Sequence, residues 1–77
     1  MKDKIIKILT EIRPEFDFSE NVNFIEQGML DSFDVVSLVT SLDEEFNISI
    51  DGVDITPENF ATIDNIVELL KKNNVAE

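Results

Sequence analysis

The stretch Gly28-Met29-Leu30-Asp31-Ser32-Phe33-Asp34 opens the segment that decides the fold, and it runs on into Val35, Leu38, Val39, Leu42 and Phe46. From Val35 onward the apolar residues fall at i, i+3, i+4, i+7 and i+11, one stripe of a helix. This spacing predicts a helix from Ser32 to Glu45. Its other faces carry Asp34, Ser37, Ser41, Asp43, Glu44 and Glu45. Asp31 is the expected N-cap, and Asp34 adds a carboxylate to the positive helix start. Gly28 supplies the conformational freedom for a turn just before this step. Ser32 is thereby placed at a helix start, between the apolar Leu30 and Phe33.

Upstream, Ile5, Ile8, Leu9 and Ile12 recur at helical spacing, which predicts a first helix from Lys2 to Glu11. Pro14 disfavours helical geometry at Arg13 and ends it there. Arg13, near that C-terminus, suits the helix dipole. Residues 14–31 then read as a long loop with Phe16, Phe18, Val22, Phe24, Ile25, Met29 and Leu30 irregularly spaced. A loop of this length belongs in a compact domain only if it is packed or functional. Its apolar content implies that it is pinned across the core.

Downstream, Asn47 to Ile55 alternates apolar and polar residues and, without a partner strand, reads as an extended loop. Thr56 caps a short helix with Pro57 at its first position. Thr62 caps the last helix, Ile63 to Asn73, which buries Ile63, Ile66, Val67 and Leu70, and Lys71 and Lys72 close it favourably. The expectation is an all-α fold: a small four-helix bundle of three main helices and one short one, with a long loop after the first. Residues 1–77 form one domain.

Charge narrows the function. The chain has 17 Asp and Glu against 6 Lys and Arg, a net charge of −11. Residues 14–70 hold 14 of the acids and no base. Phosphate-backbone binding needs basic side chains, so nucleic acid is an unsuitable partner. Basic patches on other proteins suit it, and charge would speed the encounter. The chain lacks His, Cys, Tyr and Trp, and most general acid–base and covalent mechanisms lean on His or Cys; a carboxylate-only enzyme stays open, but 77 residues leave little room for a substrate pocket. No apolar run approaches the roughly 18–20 residues of a membrane span, and Met1-Lys2-Asp3-Lys4 is unlike a signal peptide. A cytoplasmic, non-enzymatic monomer is expected.

Ser32 has two readings: a residue that helps to start a helix, or a hydroxyl to be modified. A phosphodiester there would meet backbone N–H groups and the favourable end of the dipole. A calcium loop is a third candidate, because Asn47, Ser49, Asp51, Gly52 and Glu58 match EF-hand positions 1, 3, 5, 6 and 12. The pattern fails at Asn47, where Asp is required, at Asp54 in an apolar position, and at Pro57 in the incoming helix. No metal site is expected. The run Asp43-Glu44-Glu45 is a solvated face that is also compatible with docking.

The motif around Ser32, with Val36, Leu38-Val39, Leu42 and Asp43-Glu44-Glu45-Phe46 after it, resembles the acyl carrier proteins along essentially the whole chain. In that family an Asp-Ser-Leu-type motif opens the second helix. The resemblance implies that Ser32 carries 4′-phosphopantetheine, transferred from coenzyme A by a phosphopantetheinyl transferase, with Asp31 beside it. It implies a freestanding carrier of acyl or aminoacyl thioesters in lipid, polyketide, peptide or cell-wall biosynthesis. It also implies that loading and processing enzymes with basic patches read the second helix through Phe33, Asp34, Val36, Ser37, Thr40, Asp43 and Glu44. Ser37 stands where an acid is common, Thr40 where an apolar residue is common, and Phe33 replaces the commoner Leu. Leu30-Asp31-Ser32-Phe33 is also similar to the D-alanyl carrier proteins of teichoic acid synthesis. These departures favour a specialised pathway over housekeeping fatty-acid synthesis. The alternative, from another class, is an acidic or calcium-responsive interaction module without covalent modification.

Overall fold

Each predicted apolar stripe forms an α-helix in the computed structural model, which describes residues 1–75. Helix α1 spans Lys2–Ile12, α2 spans Ser32–Phe46 and α3 spans Ile63–Lys72. Their ends agree with the sequence expectations to within a residue, and no strand occurs among the described residues. The short fourth helix takes the tighter 3₁₀ form, Pro57–Phe60, and a second 3₁₀ turn covers Gly52–Asp54.

Local chemistry sets the boundaries. Asp31, Asp51, Thr56 and Thr62 each accept a backbone N–H from two or three residues on, satisfying donors that a helix start leaves open. Helix α2 ends at Asn47, which turns left-handed at φ 53°. Asparagine tolerates that region better than most residues. The backbone N–H groups of Asn47 and Ile48 both donate to the Asp43 carbonyl.

Helix α1 packs against both α2 and α3, and the Pro57–Phe60 turn packs against α2 and α3. Ile5 and Leu9 from α1, Leu38 and Leu42 from α2, Phe60, and Ile66 and Leu70 from α3 form the centre of the core. Val35, Val39 and Val67 are buried as expected, whereas Phe46, at the end of the α2 stripe, is only half-buried beneath the Lys4 ammonium. Leu69 is buried as well, and Ile63, expected inside, is half-buried.

The long loop is part of this core. Phe18 and Phe24 are fully buried and meet edge to face, with ring centroids 5.1 Å apart. Phe16 adds a second edge contact to Phe18 from a half-buried position. The Phe24 backbone N–H donates to the Ala61 carbonyl at 2.7 Å, tying the loop to the approach to α3. The Asn23 side chain accepts the N–H groups of Ile25 and Glu26, closing one tight turn.

Candidate functional site

The chain reaches Ser32 by a route that leaves little freedom. The Phe24 carbonyl accepts the N–H groups of Met29 and Leu30, and both of those side chains are buried. Gly28 makes the turn between them at φ +71°, a left-handed conformation that side-chain-bearing residues adopt only at a cost. Asp31 then takes extended geometry and α2 begins.

The helix start is a reciprocal capping box. Asp31 Oδ1 accepts the Asp34 N–H at 2.9 Å, and Asp34 Oδ2 accepts the Asp31 N–H at 3.0 Å. The Asp34 N–H, aided by the Arg13 charge, holds the Asp31 carboxyl below its usual range. Arg13 enters from the end of α1. Its Nε donates to Asp34 Oδ2 at 2.8 Å, and its terminal nitrogens lie 3.3 Å from Asp31 Oδ2 and 3.2 Å from Glu15 Oε2. Hydrogen bonds first to Asp34 and then to Glu15 raise the Arg13 pKa still further. One guanidinium thus ties the end of α1 to the cap of α2.

Ser32 follows the cap as the first residue of α2 and is exposed. Among the described residues its Oγ makes no hydrogen bond. The capping role belongs to Asp31, which leaves the serine hydroxyl to solvent. The site suits a phosphodiester: Ser32 is exposed, it stands at the positive end of a 15-residue helix, and the neighbouring carboxylates are held by N–H donors and Arg13.

The other expected site residues divide into two groups. Phe33 (83% exposed) and Val36 (61%) stand in solvent, as do Ser37, Thr40 and Glu44. Thr40 Oγ1 donates to the Val36 carbonyl, the back-bond that helical Thr often makes. Asp34 and Asp43 face the fold. The Asp34 side chain is 13% exposed and occupied by the capping box and Arg13. Asp43 Oδ1 accepts the Ile50 N–H at 3.0 Å and so fastens the segment after α2.

Two features escaped the sequence reading. Its position near the end of α1 matches Arg13 to that helix's dipole, yet its side chain serves the start of α2; its isolation among acids is the one signal in the sequence. Val53 (79% exposed) and Ile55 are apolar residues set in solvent on the loop after α2. That loop is held by Lys72, whose ammonium meets Asp54 at 2.8 Å, and by the Asn59 side chain, which donates to the Asp54 carbonyl. The calcium-loop match has no EF-hand geometry: Glu58 lies in the 3₁₀ turn, and the Asp51 carboxylate is turned to the Val53 N–H. Among the described residues no group of three or more acids is arranged to hold a metal. No helix among them is long and apolar enough to cross a membrane.

A capped helix bearing an exposed serine at its first position, in a small acidic helical fold, is the arrangement expected of a carrier-type domain. Residues 3–70 match the family model described as "Phosphopantetheine attachment site", and the chain belongs to that family. Its prosthetic group is 4′-phosphopantetheine. The chain is 29% identical over 73 residues to a D-alanyl carrier protein of Staphylococcus xylosus, covering 92% of this chain and 94% of that one. It is 30% identical over 71 residues to a D-alanyl carrier protein of Bacillus velezensis, covering 90% and 91%. An acyl carrier protein of Wolinella succinogenes is 36% identical over 73 residues, covering 95% of this chain and 91% of that one.

Proposed function

We propose that the chain is a carrier whose Ser32 is the phosphopantetheine attachment point, and that it delivers acyl or aminoacyl intermediates to a series of enzymes in lipid, polyketide, peptide or cell-wall biosynthesis. The observation that carries this reading is the exposed, unengaged Ser32 hydroxyl at the first position of α2 in a chain of this family. A phosphopantetheinyl transferase joins Ser32 Oγ to the pantetheine-side phosphorus of coenzyme A. The pyrophosphate P–O bond breaks, adenosine 3′,5′-bisphosphate leaves, and the Oγ proton passes to a base on the transferase. The thiol that arrives with the arm supplies the cargo-bearing thioester, which accounts for a working chain without Cys or His.

The protein's own part is recognition and placement. Phe33 and Val36 offer apolar contacts, Ser37 and Thr40 polar ones, and Glu44 meets basic side chains on partner enzymes. Asp34 and Asp43 act in the same recognition by fixing the two ends of that surface. The chain itself catalyses nothing, acts as a monomeric single domain over residues 1–77, and works in the cytoplasm, where coenzyme A is made. The D-alanyl carrier relatives, together with the resemblance of Leu30-Asp31-Ser32-Phe33 to that family, favour an aminoacyl or otherwise specialised cargo.

Incubation with coenzyme A, Mg²⁺ and a broad-specificity transferase should add the mass of one phosphopantetheine, and Ser32→Ala should abolish the gain. An unmodified wild-type chain, with a control carrier loaded in parallel, would leave the acidic interaction module as the better reading.

A further inference from the structure

We propose that Arg13 is a positioning residue for phosphopantetheine attachment, holding the two carboxylates beside Ser32 in place and offsetting their charge as the phosphate arrives. The inference rests on Ser32 being the attachment point. Asp31 and Asp34 put two negative charges within three residues of Ser32, where a phosphoryl group must approach. Like charges at that range oppose the approach. Arg13 is the only Lys or Arg between residues 8 and 70, and the fold brings it from the end of α1 to this point. Its guanidinium contacts both carboxylates, at 2.8 Å to Asp34 and 3.3 Å to Asp31. Both of its contacts fall on Oδ2 atoms, and Asp31 keeps Oδ1 for the Asp34 N–H. The carboxylates are therefore committed to the cap and to Arg13 rather than turned toward the serine hydroxyl. The third partner, Glu15, holds the guanidinium from the side of α1.

Charge and docking pull in opposite directions here, which gives the role a signature. Removing Arg13 makes the carrier more acidic and so favours encounter with a basic transferase. The chemical step, by contrast, loses its local offset. Steady-state loading of the full chain is measured by intact mass, with coenzyme A, Mg²⁺ and a broad-specificity transferase, for wild type, Arg13→Gln and Arg13→Lys. Arg13→Gln is expected to lower kcat by about fivefold while KM for the carrier stays level or falls. Arg13→Lys keeps the charge but loses the fork that reaches both carboxylates, so its kcat should fall between those of wild type and Arg13→Gln. The Arg13→Gln deficit should shrink in 0.5 M NaCl, where screening acts within about 4–5 Å.

Circular dichroism establishes that each variant is folded. Should Arg13→Gln lose its helical signal, folded Arg13→Lys decides: a lowered kcat with a level KM supports the positioning role, and a kcat equal to wild type overturns it. An unchanged kcat in folded Arg13→Gln, or a raised KM with no change in kcat, overturns the proposal while Ser32 stands. Loading that persists in Ser32→Ala overturns the attachment point and this inference with it.

Discussion

Replacing Phe24 by leucine tests whether the long loop is a structural part of the core. The ring is fully buried and stands edge to face with Phe18 at 5.1 Å and an interplanar angle of 81°. Leucine keeps an apolar side chain but is smaller, so it leaves a void and forfeits the ring pair. An edge-to-face pair contributes about 0.5–1.5 kcal/mol beyond its area, and the unfilled volume adds roughly 1–2 kcal/mol. Together they come to about 1.5–3.5 kcal/mol, against roughly 4–12 kcal/mol of total stability for a chain of this length. With a urea m-value of about 1 kcal/mol/M, the unfolding midpoint should fall by about 1.5–3.5 M. Phe33→Leu is the matched control, because Phe33 is 83% exposed, and its midpoint should move by less than about 0.5 M. The assay is urea titration followed by far-UV circular dichroism. Amide exchange at Met29 and Leu30, whose N–H groups donate to the Phe24 carbonyl, should quicken in step in Phe24→Leu. Equal midpoint shifts for the two variants would refute the assignment of the loop to the core.

Gly28→Ala should cost about 1–2 kcal/mol and lower Tm by several degrees, because φ +71° is strained for alanine although the space is open. Thr62→Ala removes the cap on the Asn65 N–H and should cost about 1 kcal/mol in a thermal melt. Asp31 has a lowered folded pKa, so its contribution to stability is present above its unfolded value and lost as pH falls through the folded one. Stability measured below pH about 4 should therefore fall, and Asp31→Asn should flatten that part of the profile. With a net charge of −11, the fold is opposed by its own repulsion, so raising NaCl from low to moderate ionic strength should raise Tm.

Much of this molecule is written in periodicities that one sequence reveals. Val35, Leu38, Val39 and Leu42 locate α2, and Asp31, Thr56 and Thr62 mark helix starts because each offers an oxygen where open N–H groups need one. What stayed hidden required knowing which parts of the chain meet. Nothing local to Arg13 shows that its side chain crosses to Asp34, 21 residues away. Asp43 sits in a run of three acids that reads as solvated, yet its carboxylate is drawn inward by the Ile50 N–H. The division of the α2 face into outward residues and residues that hold the fold is thus a tertiary property. Leu69 lies beside the predicted stripe, so its spacing does not mark it as core, yet it is buried. Half-buried Phe46 is the converse case, a residue with the right spacing at a helix end where the core runs out.

The hydrogen bonds of Phe24 have a mechanical consequence. This single residue takes hold of Ala61 through its N–H and of Met29 and Leu30 through its carbonyl. Ser32, the proposed base of the arm, is thereby tied to the approach to α3, although it lies at the end of a long excursion of chain. A stiff mount on a short lever leaves nearly all the reach to the arm itself. Distances between successive active sites would then be covered by the swing of the pantetheine, while partner enzymes grip a footing that stays where it was.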